Sequence, residues 1–151
     1  MLILVVDDDK LARQGLAALL GELVPHAELA EAADGVGMIE AVRSLDPDVA
    51  IVDVDMPRLD GLSAVEELAK EEHGTSFVVL SAFADFSFAR RGIKLHVSDY
   101  LLKPAEPADL LAAISRAAHE GERRLREREA LFGTEISELV RSRLRAASEP
   151  G

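Results

Sequence analysis

The side chains best suited to chemistry in this sequence come directly after short apolar runs. Asp7 and Asp8 follow the run LILVV, and Asp53 follows VAIV. Ser81 follows FVVL, and Lys103 follows DYLL. The functional site of an open parallel sheet lies beyond the carboxyl ends of its strands, so these groups are expected at one edge. Any one of them alone is more often a helix cap, a turn residue or a surface charge, so their joint placement carries the prediction.

Three carboxylates at one place call for a cation. Asp7, Asp8 and Asp53 cannot all ionise close together without one. Mg²⁺ fits best, because it uses few protein carboxylates, prefers oxygen ligands and accepts phosphate oxygens. With the Lys103 ammonium and the Ser81 hydroxyl nearby, such a site is equipped for phosphoryl transfer to a carboxylate.

Five apolar runs and the helical patterns between them predict the elements that hold these residues. The runs are mostly aliphatic and do not alternate, as expected of parallel strands covered on both faces. They lie at residues 2–6, 27–32, 49–52, 77–80 and 99–102. Breakers such as Asp34-Gly35 and Lys103-Pro104 fall at the joints. The pattern predicts an α/β protein with a doubly wound five-stranded parallel sheet and an extended C-terminal helix.

Composition narrows the classes of function. The 151 residues contain no cysteine, which excludes disulfides and thiolate metal sites. The net charge of −11 lies in residues 1–119 and disfavours direct nucleic-acid binding by this chain. The N-terminal sequence has neither the basic leader of a signal peptide nor the length of a membrane span, so a cytoplasmic location without membrane contact is expected.

Residues 120–151 differ from the rest and are predicted to be a helical linker or tail, after a domain at residues 1–119. The last helix is expected to start near Pro107 and run through Phe132. Gly133 then resembles a helix stop and Thr134 an N-cap for a short extra helix. The tail is either a solvated helix or a linker with weak coiled-coil character, and Gly121 argues against a strong coiled coil.

The four motifs LVVDDDKLAR, IVDVDMPRLDG, VVLSA and DYLLKP resemble the receiver domain of bacterial two-component response regulators, in the family's order and spacing. The resemblance covers residues 1–119 and implies the flavodoxin-like receiver fold. It also implies that Asp53 accepts a phosphoryl group from a sensor histidine kinase. Such a protein is a signalling switch rather than an enzyme, since it catalyses only its own phosphorylation and dephosphorylation.

The same resemblance assigns roles to individual residues. Asp8, Asp53 and the backbone carbonyl of Asp55 would bind Mg²⁺ directly, and Asp7 would act through water. Lys103, Ser81 and the backbone of Ala82 would contact the phosphoryl group. Ser81 and Tyr100 would form the conformational switch, and Phe83 is expected to tune the phosphoryl lifetime together with Asp55.

The segment SAFADFSFARRGIKLHVSDYLLKP most resembles receivers fused to arabinose-regulator-type DNA-binding domains. This implies control of transcription through a DNA-binding domain that these 151 residues do not contain. It also implies a phosphorylation-dependent homodimer, formed by the face of helix 4, strand 5 and helix 5, by the C-terminal helix, or by both.

Three alternatives remain open from the sequence. The chain could be a stand-alone receiver in a phosphorelay, or a pseudo-receiver that keeps the fold without phosphorylation. The third alternative is a phosphatase of the haloacid-dehalogenase type. Such enzymes also use a D-x-D motif after a strand, and DVD at 53–55 matches that motif. However, in those enzymes the D-x-D normally ends the first strand, whereas here it follows the third apolar run.

Overall fold

The structure is a computed structural model that describes residues 1–56, 59–82 and 86–148, and the side chains of all of these except 86–88 and 148. Phe83 therefore lies outside the described residues. The strands are β1 (Leu2–Val6), β2 (Glu28–Ala32), β3 (Val49–Asp53), β4 (Ser76–Ser81) and β5 (Asp99–Leu102). The helices are α1 (Lys10–Leu23), α2 (Gly35–Leu45), α3 (Gly61–Leu68), α4 (Phe86–Lys94) and α5 (Pro107–Ser148).

The five strands form one parallel sheet in the order β2-β1-β3-β4-β5. The predicted fold class is confirmed, and the sheet order puts β3 at the centre. The register aligns Val6 with Val52 on the neighbouring strand, and Asp53 with Leu80. The reactive residues that follow β1, β3 and β4 therefore lie at one edge of the sheet, as predicted.

Alternate residues of the central strands pack against opposite layers of helices. Leu4 and Val6 face a core shared with α2 and α3, whereas Ile3 and Val5 face a core shared with α1 and α5. Burial of both faces explains why the strands are continuous apolar runs. Both layers hold the sheet edge rigidly, because side chains in such cores are close-packed.

The C-terminal helix corrects one prediction. The helix α5 continues through Gly133 to Ser148, so Gly133 is not a stop and the extra helix predicted from Thr134 does not exist. The physical reason is that none of the described glycines adopts the positive φ of a helix C-cap. The Thr134 hydroxyl instead donates to the carbonyl of Ala130 at 2.9 Å, a bond made inside a helix.

The chain divides into two compact units, Met1–Gly121 and Glu122–Gly151. The first contains the whole sheet and both cores, and the described part of the second is helical. A search of the described residues finds no helix with both the length and the apolar character needed to cross a membrane.

Candidate functional site

Three carboxylates meet at the carboxyl edge of β1 and β3. Asp53 is the last residue of β3, and Asp7 comes directly after β1, one step past the aligned pair Val6 and Val52. Asp7 and Asp53 are buried, with 5% and 6% of their surface exposed, whereas Asp8 is exposed. One ligand oxygen from each of the three lies within 4.8 Å of the others. The predicted grouping of Asp7, Asp8 and Asp53 is therefore present.

The loop that carries Asp7 and Asp8 is held by the first turn of α1. Asp9 caps this helix, since its carboxylate accepts hydrogen bonds from the amides of Leu11 and Ala12. The Asp9 amide donates to Oδ1 of Asp7 at 2.9 Å. These bonds fix the backbone on both sides of Asp8, so its exposed carboxylate is held by a rigid turn.

Arg13 also holds this loop in place, a role that the sequence analysis did not predict. Its Nη1 donates to the carbonyl oxygen of Asp7 at 2.8 Å, and its Nε donates to Oε1 of Glu31 at 3.0 Å. The available signal was its position one helical turn after Asp9, which points it back at the strand end. Spacing alone did not reveal that it would bond to a backbone carbonyl.

The Asp53 carboxylate is oriented through both of its oxygens. Oδ1 accepts a hydrogen bond from the amide of Asp55 at 3.1 Å, and Oδ2 lies 3.2 Å from Nζ of Lys103. Burial raises the pKa of Asp53, and the Asp7 carboxylate adds to the rise, while the Asp55 amide and the Lys103 ammonium oppose it. The net effect is a carboxylate whose pKa lies above its ordinary value and which lies next to the Lys103 ammonium.

Lys103 reaches two of the three carboxylates. Its Nζ lies 3.6 Å from Oδ2 of Asp7 as well as 3.2 Å from Asp53. Its backbone amide donates to the carbonyl of Ser81 at 2.7 Å, which extends the pairing of β4 and β5 to the site. Among the described residues, Lys103 thus pairs with two of the three grouped acids, and the remaining negative charge suits a divalent cation.

The other predicted residues lie at the ends of β4 and β5. Ser81 ends β4, is buried and pairs with Leu102, whereas the following Ala82 is exposed. The ring of Tyr100 packs against a small core cluster, and among the described residues its buried hydroxyl has no hydrogen-bond partner. The buried residues of this cluster are Val54, Leu62 and Val79. Tyr100 therefore occupies an inward position in this structure.

The loop after Asp53 returns to the sheet at α3. Asp60, interpreted from composition as a turn residue, is the N-cap of α3 and accepts hydrogen bonds from the amide and hydroxyl of Ser63. Arg91 of α4 lies 3.8 Å from the Asp60 carboxylate and donates to the Ser63 hydroxyl. A helix adjacent to the site is thus tied to the loop that follows Asp53.

Gly61 allows α3 to approach β3 closely. A Cβ atom at this position would overlap the carbonyl oxygen of Asp53 and the side chain of Val52. The sequence interpretation of Asp60-Gly61 as a simple turn did not anticipate this second requirement. The absence of a side chain at residue 61 helps to place the end of β3.

Comparison with known proteins places this geometry in a family. Residues 3–115 match the sequence profile of the response regulator receiver domain. The transcriptional regulatory protein LiaR of Bacillus subtilis is 34% identical over 148 residues, covering 97% of this chain and 66% of LiaR. The transcriptional regulatory protein BtsR of Escherichia coli is 37% identical over 118 residues, covering 78% of this chain and 48% of BtsR. The chain thus spans about half to two thirds of the length of these relatives.

Solved structures agree with the fold. A response regulator receiver domain protein from Clostridium thermocellum superposes with a TM-score of 0.72 at 28% identity, covering 80% of this chain and 96% of that one. A CheY-like receiver domain protein from Methanospirillum hungatei gives 0.74 at 23% identity, covering 82% and 97%, and supports the fold alone. The sequence relatives LiaR and BtsR do not confirm the predicted similarity to receivers fused to arabinose-regulator-type DNA-binding domains.

Proposed function

This chain belongs to the response regulator receiver domain family, and on that premise we propose that Asp53 accepts a phosphoryl group from the phosphohistidine of a sensor histidine kinase. The observation that carries the proposal is the arrangement around Asp53. A buried carboxylate with a raised pKa lies 3.2 Å from the Lys103 ammonium and beside two further carboxylates. A haloacid-dehalogenase-type phosphatase is not supported, because the family match is to receivers.

The residues of the site divide the work of the transfer. The ionised Asp53 carboxylate attacks the phosphorus, the phosphorus–nitrogen bond breaks, and the imidazole leaves with the bonding electrons. The amide of Asp55 orients the carboxylate through Oδ1. The Lys103 ammonium pairs with the phosphoryl oxygens as charge accumulates on them.

The donor set fits Mg²⁺. Asp8, Asp53 and the backbone carbonyl of Asp55 would hold the ion directly, with Asp7 acting through water. All of these donors are hard oxygen atoms, and the three carboxylates already lie within 4.8 Å of one another. When bound, the ion offsets negative charge on the acids and on the phosphoryl group.

We further propose that phosphorylation repacks the face formed by α4, β5 and the first turns of α5. Ser81 and the backbone of Ala82 would bond the phosphoryl oxygens, and Tyr100 would follow Ser81 as the second residue of the switch. Support comes from the end of β4, where buried Ser81 is one residue past the register partner of Asp53. Tyr100 lies on the adjacent strand, so a shift of β4 reaches it directly.

The output is proposed to be control of transcription. LiaR and BtsR are transcriptional regulatory proteins. A DNA-binding domain outside these residues, which the sequence resemblance suggests is of the arabinose-regulator type, would carry the output. The chain itself is proposed to switch by homodimerisation, through the face of α4, β5 and α5, the C-terminal helix, or both. The chain is proposed to catalyse only its own phosphorylation and dephosphorylation. Its proposed partner is a sensor histidine kinase, and its proposed location is the cytoplasm.

Intact-mass measurement tests the assignment of Asp53. The full chain is incubated with Mg²⁺ and an acyl phosphate, and wild type should gain one phosphoryl group. Asp53→Ala should gain none. Asp109→Ala is the matched control, because it removes an exposed carboxylate on α5 that is not one of the three grouped acids. A missing adduct on wild type, or an equal adduct on Asp53→Ala, would contradict the proposal.

A second measurement tests the switch. The molar mass of wild type and Asp53→Ala is followed by light scattering, with and without a beryllofluoride phosphoryl mimic. Wild type should show a mimic-dependent change in its monomer–dimer equilibrium, and the variant should not. An identical response in both proteins would refute a switch that acts through Asp53.

A further inference from the structure

The unit Glu122–Gly151 exposes large apolar side chains along its helix. Their exposed fractions lie between 44% and 65%, and they are Leu125, Leu131, Phe132, Ile136, Leu139, Val140 and Leu144. A helix in water gains its stability mainly from packing an apolar face, not from exposing one. This helix therefore presents a surface suited to a partner.

Continuity through Gly133 aligns the apolar residues from both sides of that glycine. Leu125, Phe132 and Leu139 recur every seven residues, and Ile136 follows Phe132 by four. With about 100° of rotation per residue, six residues lie within about 80° of arc on one side of the helix. We call them the tail stripe: Leu125, Glu129, Phe132, Ile136, Leu139 and Arg143. Leu131, Val140 and Leu144 lie off this stripe.

The charges of the helix favour a second copy of the chain as the occupant. Residues 120–151 contain seven glutamates and seven arginines, so the segment attracts neither a strongly acidic nor a strongly basic partner. The tail stripe itself carries one acid and one base, Glu129 near one end and Arg143 near the other. The stripe is therefore complementary in charge to a second copy that runs in the opposite direction.

The positions of these two charges decide the orientation. In heptad terms Leu125, Phe132 and Leu139 are d residues, whereas Glu129, Ile136 and Arg143 are a residues. A parallel pair in register would place Glu129 against Glu129 and Arg143 against Arg143, which puts two like-charged pairs in the seam. An antiparallel pair removes both repulsions.

We propose that two copies of this chain pair through the tail stripe as an antiparallel two-helix coiled coil centred near residue 134. In that register Phe132 faces Ile136 of the second copy and Glu129 faces its Leu139. Leu125 faces Arg143 of the second copy, which brings Glu129 and that arginine within one helical turn. The inference rests on the proposed homodimer and adds its surface and orientation.

Disulfide trapping tests the orientation, since the chain has no cysteine of its own. Leu125→Cys and Arg143→Cys are each oxidised alone and then as an equimolar mixture of the two full-length variants. Disulfides need Cα atoms within about 7 Å, so antiparallel pairing should give a covalent dimer only in the mixture, with one chain of each variant. Covalent dimers of either variant alone would show parallel pairing and overturn the proposal.

Light scattering on full-length protein tests the surface. With the beryllofluoride mimic bound, wild type should reach twice the 16.3 kDa chain mass. Under the same conditions Ile136→Asp should weaken the dimer roughly tenfold or more, because it buries an unpaired charge. Thr134→Asp, on the opposite face of the helix, is the matched control and should dimerise as wild type does. A monomeric wild type, or equal effects of both substitutions, would overturn the proposal.

Charge reversal adds an independent readout. Glu129→Arg should weaken the dimer, and adding Arg143→Glu should restore it, since antiparallel pairing brings the two sites together. Failure of the second substitution to restore dimerisation would overturn the orientation. The phosphoryl adduct on Asp53 is measured by mass in the same proteins, so loss of that function is distinguished from loss of the tail dimer.

Discussion

Gly61→Ala offers a sharp test of how the end of β3 is positioned. An alanine Cβ would lie 2.6 Å from Cγ1 of Val52 and still closer to the carbonyl oxygen of Asp53, whereas Cβ atoms essentially never approach below 3.0 Å. Either α3 or the strand end must therefore move by at least about 0.4 Å. Overpacking of this kind costs about 1–3 kcal/mol of folding free energy.

The expected result is a lower melting temperature and slower phosphorylation. For a domain of this size about 1 kcal/mol corresponds to about 3–5 °C, so the melting temperature should fall by about 3–15 °C. The initial rate of adduct formation on Asp53 should fall too, because the displaced strand end carries that carboxylate.

Gly15→Ala is the matched control for the same chemical change. Gly15 lies within α1 with nothing within 4 Å of the added carbon. Alanine in a helix interior is favoured over glycine, so this variant should gain about 0.5–1 kcal/mol. Thermal denaturation followed by circular dichroism compares the two. A Gly61→Ala variant as stable and as reactive as wild type would refute the packing argument.

Three further outcomes follow from the site. Tyr100→Phe should raise the free energy of unfolding by about 1 kcal/mol, because it removes a buried hydroxyl that has no partner among the described residues. Urea denaturation measures this change. A variant less stable than wild type would show that the hydroxyl is hydrogen-bonded in solution. Asp53→Asn should stabilise the metal-free protein. Since the folded pKa of Asp53 is raised, its ionised form costs stability above that pKa, and the advantage of the variant should shrink as the pH falls through it. Melting temperatures in chelator, measured at stepwise lower pH from neutral towards the ordinary range of a carboxyl group, should show this trend, and an advantage that grows in acid would contradict it. Saturating Mg²⁺ should raise the wild-type melting temperature, because an ion at 100 times its dissociation constant adds about 2.7 kcal/mol of stability. Asp8→Asn should reduce this gain. If calorimetry shows no shift of the melting temperature with Mg²⁺, the proposed metal site is wrong.

The fold and the core of the site could be predicted because both depend on patterns that are local in the sequence. Aliphatic runs that do not alternate predict strands buried on both faces, and the sheet has those strands. The general rule for parallel sheets then places Asp7, Asp53 and Lys103 at one edge without any knowledge of distances. Their measured separations agree with that rule.

Two of the misses come from contacts between different elements of the fold. Arg13 bonds a strand end, and Gly61 is required by a carbonyl on another element, so neither role is visible in local spacing. The predicted break at Gly133 failed for a different reason. Glycine permits a helix to end but does not force it, and Gly133 does not take the positive φ of a left-handed C-cap.

The sequence by itself determined the order of strands and helices, the acids at the strand ends and the family to which they belong. Only the tertiary structure decided which Asp53 oxygen faces Lys103, that Tyr100 lies inward, and that four apolar residues on both sides of Gly133 share one stripe. The physical reason is range. Periodicity and capping act over a few residues, whereas the orientation of a carboxylate or a ring depends on packing between elements that the chain brings together only when folded.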